Sequence, residues 1–376
     1  MNKKIKIITV VGTRPELIRL SSVISKLDEN CDHILVHTGQ NYDFELNEVF
    51  FNDLGLKKPA YFLDASADSS TKTIANILVG VDEILDKEKP DAFLVLGDTN
   101  SCLSLYVAKR KKIPTFHIEA GNRCFDERVP EEINRKIIDH IADINMTYSS
   151  ISRDYLIKEN FPAQRIVKVG SPMLEIINNN LLSINSSQIL EKLSITKNKY
   201  FVVSCHREEI IESPIMFSKF INTLNEMAKK YQFTIVMSTH PRTLHKLKKN
   251  HIQLDPLVII HPPFGFFDYL FLQINALVTL SDSGTINEEA SILKIAAINL
   301  RETNERPEAM EEGSTIMVGM DTQRIFQSIA MLIKGKNGSL PTVKIVKDYD
   351  SDNFSEKVTR TIYSYINYIN TYIWHK

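Results

Sequence analysis

The sequence predicts an α/β protein made of two parallel-sheet domains, and three observations carry that prediction. At 376 residues the chain exceeds the usual reach of one hydrophobic core. Short apolar, β-branched runs alternate with amphipathic segments, the pattern of strands buried on both faces and covered by helices. The alternation stops at a polar stretch, Ser183 to Lys199, and then starts again.

The first series of strands is Ile5–Val11, His33–His37, Ala92–Leu96, Thr115–Glu119, Ile144–Tyr148 and Arg165–Val169. Helical patterns lie between them, over Thr73–Lys87, Asn100–Lys111, Pro130–Ala142 and Ser149–Asn160. The second series is Tyr200–Ser204, Phe233–Ser238, Leu257–Ile260, Ala276–Leu280, Ile295–Leu300 and Thr315–Val318. In the tail, Ile362, Ile366, Ile369 and Ile373 form an i, i+4, i+7, i+11 stripe flanked by Tyr365, Tyr368 and Tyr372. So wide an apolar face packs on protein, either a dimer partner or, the reading preferred here, the first domain. The expected bounds are 1–182 for the first domain, 183–354 for the second and 355–376 for the returning helix, with Ser183–Lys199 as hinge. No internal repeat suggests a solenoid.

Composition narrows the function. Lys and Arg number 45 against 46 Asp and Glu, so no global field draws the chain to nucleic acid or an acidic membrane, and any anion site is local. Cys31, Cys102, Cys124 and Cys205 are widely spaced without a C-x-x-C pair, which fits a reducing, cytoplasmic setting. The apolar run Ile5–Val11 is basic-flanked but too short for a signal peptide or a membrane span, and it reads as a buried first strand.

Chemistry-bearing residues cluster where strands end. Gly12-Thr13-Arg14-Pro15-Glu16 follows the first strand, where a nucleotide-binding fold puts its phosphate loop; Arg14 is either a phosphate ligand or the cap of a surface turn. Neither a Gly-x-Gly-x-x-Gly nor a Gly-x-x-x-x-Gly-Lys-Ser/Thr motif occurs. Asp98, in Gly97-Asp98-Thr99-Asn100, stands at a strand's carboxyl end, where open α/β sheets bind ligands, or else Asp98 or Thr99 is only a helix N-cap. His117 and Glu119 share one face of a strand, and Gly121 sets Glu119 at the strand's carboxyl end. Glu131 and Glu132 open a helix at Pro130; Glu132 is read as a partner of the dipole, Arg135 and Lys136.

In the second half, His206 and Arg207 repeat the position of the Gly12–Glu16 loop, as phosphate contacts or as solvated charges. Ser281-Asp282-Ser283-Gly284-Thr285 leads into a helix whose start favours an anion, with Glu289 one turn on, where a carboxylate can accept both hydroxyls of a ribose. Arg306 lies in the charged run Arg301–Glu308 as a second phosphate clamp. No His pair has metal spacing, so no metal ligand is expected.

These segments, in this order, resemble the non-hydrolysing UDP-N-acetylglucosamine 2-epimerases. The match runs through Gly12–Glu16, Gly97-Asp98-Thr99, His117–Gly121, Pro130–Arg135, His206-Arg207-Glu208, Asp282-Ser283-Gly284 and Glu305–Glu308, nearly the whole chain. The resemblance implies a GT-B-like fold, two Rossmann-like domains facing one cleft, and a homodimer. It implies UDP on the second domain: Ser283 and Gly284 at phosphate, Glu289 at ribose, uracil near Phe264 to Phe267, Arg14 and Arg306 on the phosphates, and His206 at the leaving diphosphate. It places Asp98, Glu119 and Glu131 at the sugar. Arg19 stands where these enzymes have Lys. Gly39-Gln40 and His240 match parts of a second UDP-sugar site found in some relatives, without the Arg expected before Thr73.

The carbon beside an N-acetyl group has no carbonyl to acidify its hydrogen, so inversion needs transient oxidation or elimination across C1–C2. The missing dinucleotide motif favours elimination: Asp98 takes the C2 proton as diphosphate leaves, and Glu131 or Glu119 protonates the glycal from the other face as UDP re-adds. No cofactor is required. A GT-B glycosyltransferase is the rival from another class, and it needs an acceptor. The loop Asn122-Arg123-Cys124-Phe125-Asp126-Glu127-Arg128-Val129 and the stretch Pro263–Tyr269 resemble the capsule and O-antigen branch, which takes UDP-2-acetamido-2,6-dideoxy-β-L-talose to UDP-N-acetyl-β-L-fucosamine. Phe125 and Val129 are the expected apolar wall for a methyl-bearing C6; the alternative substrate is UDP-N-acetylglucosamine.

Overall fold

Thirteen strands form two sheets in the computed structural model, which describes residues 4–40, 51, 54–337 and 343–376. The chain divides into two compact units, one made of Met1–Asn178 with Asp348–Lys376 and the other of Asn179–Lys347.

The first unit holds β1 (Lys6–Val11), β2 (Asp32–His37), β3 (Tyr61–Phe62), β4 (Ala92–Leu96), β5 (Thr115–Ile118), β6 (Ile144–Thr147) and β7 (Ile166–Lys168). Their order in the sheet is β3-β2-β1-β4-β5-β6-β7, and every pair is parallel. Successive side chains of a strand serve opposite faces, which is why these strands read as unbroken apolar runs. Ile7 and Val11 pack with Leu17, Leu20 and Ile24 of helix Arg14–Asn30. Ile8 and Val10 pack on the other face with Ile77 and Val81 of helix Ser70–Glu88 and Ile138 of helix Pro130–Ile141. The tail helix Phe354–Tyr372 lies on Arg14–Asn30, and its Ile362, Ile366 and Ile369 enter the same core.

The second unit holds β8 (Tyr200–Ser204), β9 (Thr234–Ser238), β10 (Val258–His261), β11 (Val278–Ser281), β12 (Ala297–Asn299) and β13 (Ile316–Met317), ordered β10-β9-β8-β11-β12-β13 and again all parallel. Phe201 and Val203 face helix Pro214–Tyr231, while Tyr200 and Val202 face Phe264 and Leu272.

The strand order explains where chemistry sits. Each sheet runs outward in both directions from one central pair, β1 and β4 in the first and β8 and β11 in the second. The connections at such a switch point leave the sheet on opposite sides and open a crevice at the carboxyl ends. The flanking loops are Gly12–Thr13 with Gly97–Thr99, and Cys205–Arg207 with Asp282–Thr285. No helix among the described residues is long and apolar enough to cross a membrane.

Candidate functional site

At the first switch point the loops are knitted together by Glu16. Its buried carboxylate accepts from the Gly12 N–H (2.9 Å), the Thr13 hydroxyl (2.8 Å) and the Thr99 hydroxyl (2.9 Å). Burial pushes this carboxyl above its ordinary value, and the hydrogen bonds work against that shift. The sequence suggested open N–H groups here for phosphate. Glu16 binds the Gly12 N–H ahead of helix Arg14–Asn30, and half-buried Arg14 stands at the first helical position. Gly12 is required for this approach, because a Cβ would lie 1.9 Å from Ser101 Oγ and 2.4 Å from Thr38 Oγ1.

Asp98 does not cap the turn that follows it. Its Oδ2 accepts from Arg135 Nε (3.0 Å) and Nη2 (2.5 Å), and its carbonyl accepts from Asn134 Nδ2 (2.9 Å). Among the described residues no hydrogen bond reaches Oδ1. The carboxylate is therefore held by one oxygen with the other available. Arg135 also donates to Glu132 Oε2 (2.5 Å), and Glu132 accepts from the backbone N–H groups of Cys124 (3.1 Å) and Phe125 (3.3 Å). The i, i+3 pair expected on a solvated helix end is thus fully buried and shapes the 122–129 loop. Lys136 pairs with Glu127 instead.

Glu119 sits at the end of β5 with φ +67°, a left-handed conformation that costs a non-glycine residue about 1–2 kcal/mol. Its Oε2 is ion-paired with Arg19, and Asn122 Nδ2 donates to Oε1 (3.3 Å). Arg19, one turn into the first helix, stacks 5.9 Å from the Tyr148 ring centre. Glu119 Oε2 comes within 4.0 Å of where a Gly97 Cβ would be, so this carboxylate lies beside the residue preceding Asp98. Glu131 is exposed in the first turn of Pro130–Ile141. Asp98, Glu119, Arg14 and Arg19 thus share the carboxyl edge of one sheet, two carboxylates and two guanidinium groups, with Glu131 on the helix that anchors Asp98 through Arg135.

The second switch point is organised by Asp282. Fully buried, it accepts from the backbone N–H groups of His206 (2.8 Å) and Arg207 (2.9 Å), and its Oδ1 stands 3.1 Å from His206 Nδ1. Burial alone would raise the Asp282 carboxyl, but the His206 charge and these N–H groups hold it at about 2. In return the Asp282 charge raises the His206 imidazole above its ordinary value. His206 is exposed, so Asp282 faces one ring nitrogen and the other edge of the ring is turned outward.

Ser283 and Thr285 fold the next turn through their hydroxyls, 2.9 Å apart, and the Ser283 N–H donates to Ser281 Oγ (3.0 Å). Against Gly284 press Glu305 Oε1 and Arg306 Nη1, 2.5 Å and 2.7 Å from where its Cβ would be. Arg306 is buried among Glu288 (3.2 Å) and Glu305 (3.4 Å), and Arg301 pairs with Glu305 (2.6 Å). Asn304 fixes that loop by donating to the Arg306 carbonyl (3.0 Å) and accepting from the Arg306 N–H (3.0 Å). Glu289 is buried and accepts from Gln273 Nε2 (2.7 Å). Burial, with the Glu289 charge, pushes the Tyr269 phenol well up. His240 caps helix Pro241–Lys249 by accepting from the Arg242 N–H (3.3 Å), and half-buried Phe267 opens helix Phe266–Asn275. His206, His240, Phe267, Ser283, Gly284 and Arg306 therefore follow the carboxyl ends of five strands of one sheet, with Glu289 a turn behind Gly284.

Sequence reasoning missed Glu16, Arg135 and Asp139 as site builders. Each stands in a helix at a position that reads as a polar face, and only the fold shows the partners.

A sequence profile described as UDP-N-acetylglucosamine 2-epimerase matches residues 25–363. A solved Rickettsia bellii structure titled UDP-N-acetylglucosamine 2-epimerase superposes with a TM-score of 0.91 at 48% identity, over 99% of this chain and 100% of that one. The UDP-N-acetylglucosamine 2-epimerase of Methanococcus maripaludis is 36% identical over 88% of this chain and 92% of its own. The UDP-2,3-diacetamido-2,3-dideoxy-D-glucuronate 2-epimerase of Pseudomonas aeruginosa is 31% identical over 86% of this chain and 91% of its own.

Proposed function

Since the chain belongs to the UDP-N-acetylglucosamine 2-epimerase family, a GT-B-like group of isomerases, we propose that it inverts C2 of a UDP-activated 2-acetamido sugar by eliminating and re-adding UDP. The observation that carries the mechanism is Asp98, whose Oδ2 is anchored by Arg135 while no hydrogen bond among the described residues engages Oδ1. A carboxylate held so is oriented for proton abstraction without reorganisation. Glu119 has both oxygens engaged, which suits it to charge stabilisation or to proton return from the opposite face together with Glu131. On the other unit His206, Arg306 and the turn at Ser283 and Gly284 receive the departing diphosphate, with Arg14 as a further cation, Glu289 at the ribose and Phe267 near the uracil. A single well-aimed donor in such a site contributes about 3–4 kcal/mol to the transition state.

For the substrate we infer UDP-2-acetamido-2,6-dideoxy-β-L-talose, giving UDP-N-acetyl-β-L-fucosamine for capsule or O-antigen synthesis. Phe125 supports this reading: it is 69% exposed, held at φ +55° by the loop around Glu132, and meets Tyr155 edge-on at 5.3 Å. Val129 is buried, so the apolar wall for C6 falls to Phe125 alone. The relative named for a diacetamido-glucuronate is in keeping with a family whose members differ in sugar. UDP-N-acetylglucosamine is the second reading, favoured by the names of the other relatives. Measuring kcat/KM for both sugars decides: the deoxy sugar should be preferred about 10²-fold, the usual limit for an apolar wall rejecting a hydroxyl. Equal or better turnover of UDP-N-acetylglucosamine would make that the substrate and leave the epimerase in place.

We also propose a cytoplasmic homodimer. Four free cysteines suit a reducing compartment. Val79, Tyr106, Ile133 and Ile137 are exposed apolar residues on adjoining helices of the first unit, a surface suited to a second copy.

A further inference from the structure

His117 and Asp139 are buried polar residues to which the reaction gives no direct role. His117 points from the middle of β5 and is completely buried, as is Asp139 of helix Pro130–Ile141. His117 Nε2 lies 2.8 Å from the Gly97 carbonyl oxygen, which can only accept, so Nε2 carries a proton. Its Nδ1 lies 2.9 Å from Asp139 Oδ1. Asp139 accepts further from both the Gly121 N–H (3.2 and 3.1 Å to its two oxygens) and Arg123 Nη1 (2.6 Å). Arg123 in turn makes two bonds to Glu159, of 2.8 and 2.6 Å. Burial works against the Asp139 charge, but His117 and Arg123 outweigh it and hold the carboxyl below its ordinary value. The ring thus spans the Gly97 carbonyl at Nε2 and the Asp139 carboxylate at Nδ1.

The two groups this pair holds are the neighbours of the proposed acids. Gly97 immediately precedes Asp98 and turns the chain out of β4 at φ +82°. Gly121 follows Glu119 by two residues, has φ +78°, and packs so closely that a Cβ would lie 2.3 Å from the Ser152 carbonyl oxygen. Between them Glu119 sits at positive φ. The Glu119 conformation is unfavourable and persists only where surrounding contacts over-determine it. The ladder bond from the Gly97 N–H to the Ile118 carbonyl (3.0 Å) fixes the strands but not the outward turns. The turns are fixed by hydrogen bonds to the Gly97 carbonyl and the Gly121 amide, and both lead to the His117–Asp139 pair.

We propose that His117 and Asp139 are positioning residues, a buried joint that sets the Asp98 and Glu119 turns relative to each other through the Gly97 carbonyl and the Gly121 amide. This rests on the epimerase reading above, in which those carboxylates flank C1–C2. Misplacing a reacting group by about 1 Å costs about 10²-fold in rate even from outside the reaction centre.

The test uses two substitutions that differ in which nitrogen they preserve. A glutamine amide reaches the position of Nε2 and keeps the donor to Gly97, whereas an asparagine amide reaches only that of Nδ1. His117→Asn should lower kcat about 10²-fold, with the UDP dissociation constant within twofold of wild type, because the proposed UDP ligands other than Arg14 are on the other unit. His117→Gln should recover at least tenfold of that loss. Hydrogen-exchange mass spectrometry of the same proteins should show faster exchange in His117→Asn at both 97–99 and 119–122, slowed again at 97–99 in His117→Gln. Turnover of wild type with a UDP-acetamido sugar tests the epimerase reading separately, and exchange still judges the joint if that reading fails. The joint is overturned if both variants keep kcat within threefold of wild type, if both lose it equally, or if exchange in His117→Asn rises at one turn only. Should His117→Asn fail to fold, seen as loss of protected amides throughout 4–178, His117→Gln alone carries the comparison: a kcat within tenfold of wild type with unchanged exchange at 97–99 supports the joint, and a larger loss or faster exchange there removes it.

Discussion

Asp282 sets two properties at once, the shape of the His206 loop and the charge of its ring. Its carboxyl sits at about 2 against an ordinary 3.8, so it stabilises the fold above pH ~4 and loses that contribution as pH falls toward 2, a difference of about 2 kcal/mol. His206 shifts the other way, since a raised imidazole stays protonated to higher pH. If the protonated ring receives the leaving diphosphate, the rate falls on the alkaline side as His206 loses its proton. Asp282→Asn should therefore move the basic limb of the kcat–pH profile to lower pH. An unmoved limb would remove His206 from that role. The sequence made Asp282 legible as part of a turn and His206 as a candidate, but not their pairing, because they lie 76 residues apart and meet only where β8 neighbours β11. Glu16 and Thr99, 83 residues apart at the ends of β1 and β4, escaped for the same reason.

Strands were legible wherever they are buried on both faces, as unbroken apolar runs such as Phe93–Leu96 and Phe201–Val203. Tyr61–Phe62 was not, because two residues at a sheet edge carry no period. The stretch 183–199 reads as polar linker yet contains the end of Leu181–Asn185 and all of Ile189–Lys192, short helices pinned by buried Ile184 and Ile189. Helix Pro130–Ile141 was read correctly in extent, but its polar face proved to be the buried wall of the site, with Glu132, Arg135 and Asp139 inward and Ile133 and Ile137 outward. The tail helix is the opposite case, since its isoleucine stripe announced a packed face. Ile362 is completely buried against the first unit's core, so Ile362→Ala should cost about 2–5 kcal/mol in chemical denaturation. A cost below 1 kcal/mol would mean that the helix adds little to that core.

At the scale of the molecule, two parallel sheets each present charged groups at a switch point, and the proposed chemistry divides between them: acids for the sugar on one, cations and a helix start for the diphosphate on the other. Assembly belongs to this scale too. If Val79, Tyr106, Ile133 and Ile137 meet a second copy, Ile137→Glu should sediment as a monomer where wild type is a dimer, and a wild-type monomer would contradict the homodimer. The central claim is elimination across C1–C2, and it predicts that the C2 hydrogen leaves the sugar. The most direct measurement is a reaction in D₂O with UDP-2-acetamido-2,6-dideoxy-β-L-talose and with UDP-N-acetylglucosamine, without acceptor or nicotinamide, read by proton NMR and mass spectrometry. The account predicts a C2-inverted UDP-sugar carrying one deuterium at C2, and loss of both inversion and label by at least 10²-fold in Asp98→Asn. An inverted product that keeps its C2 hydrogen would contradict it.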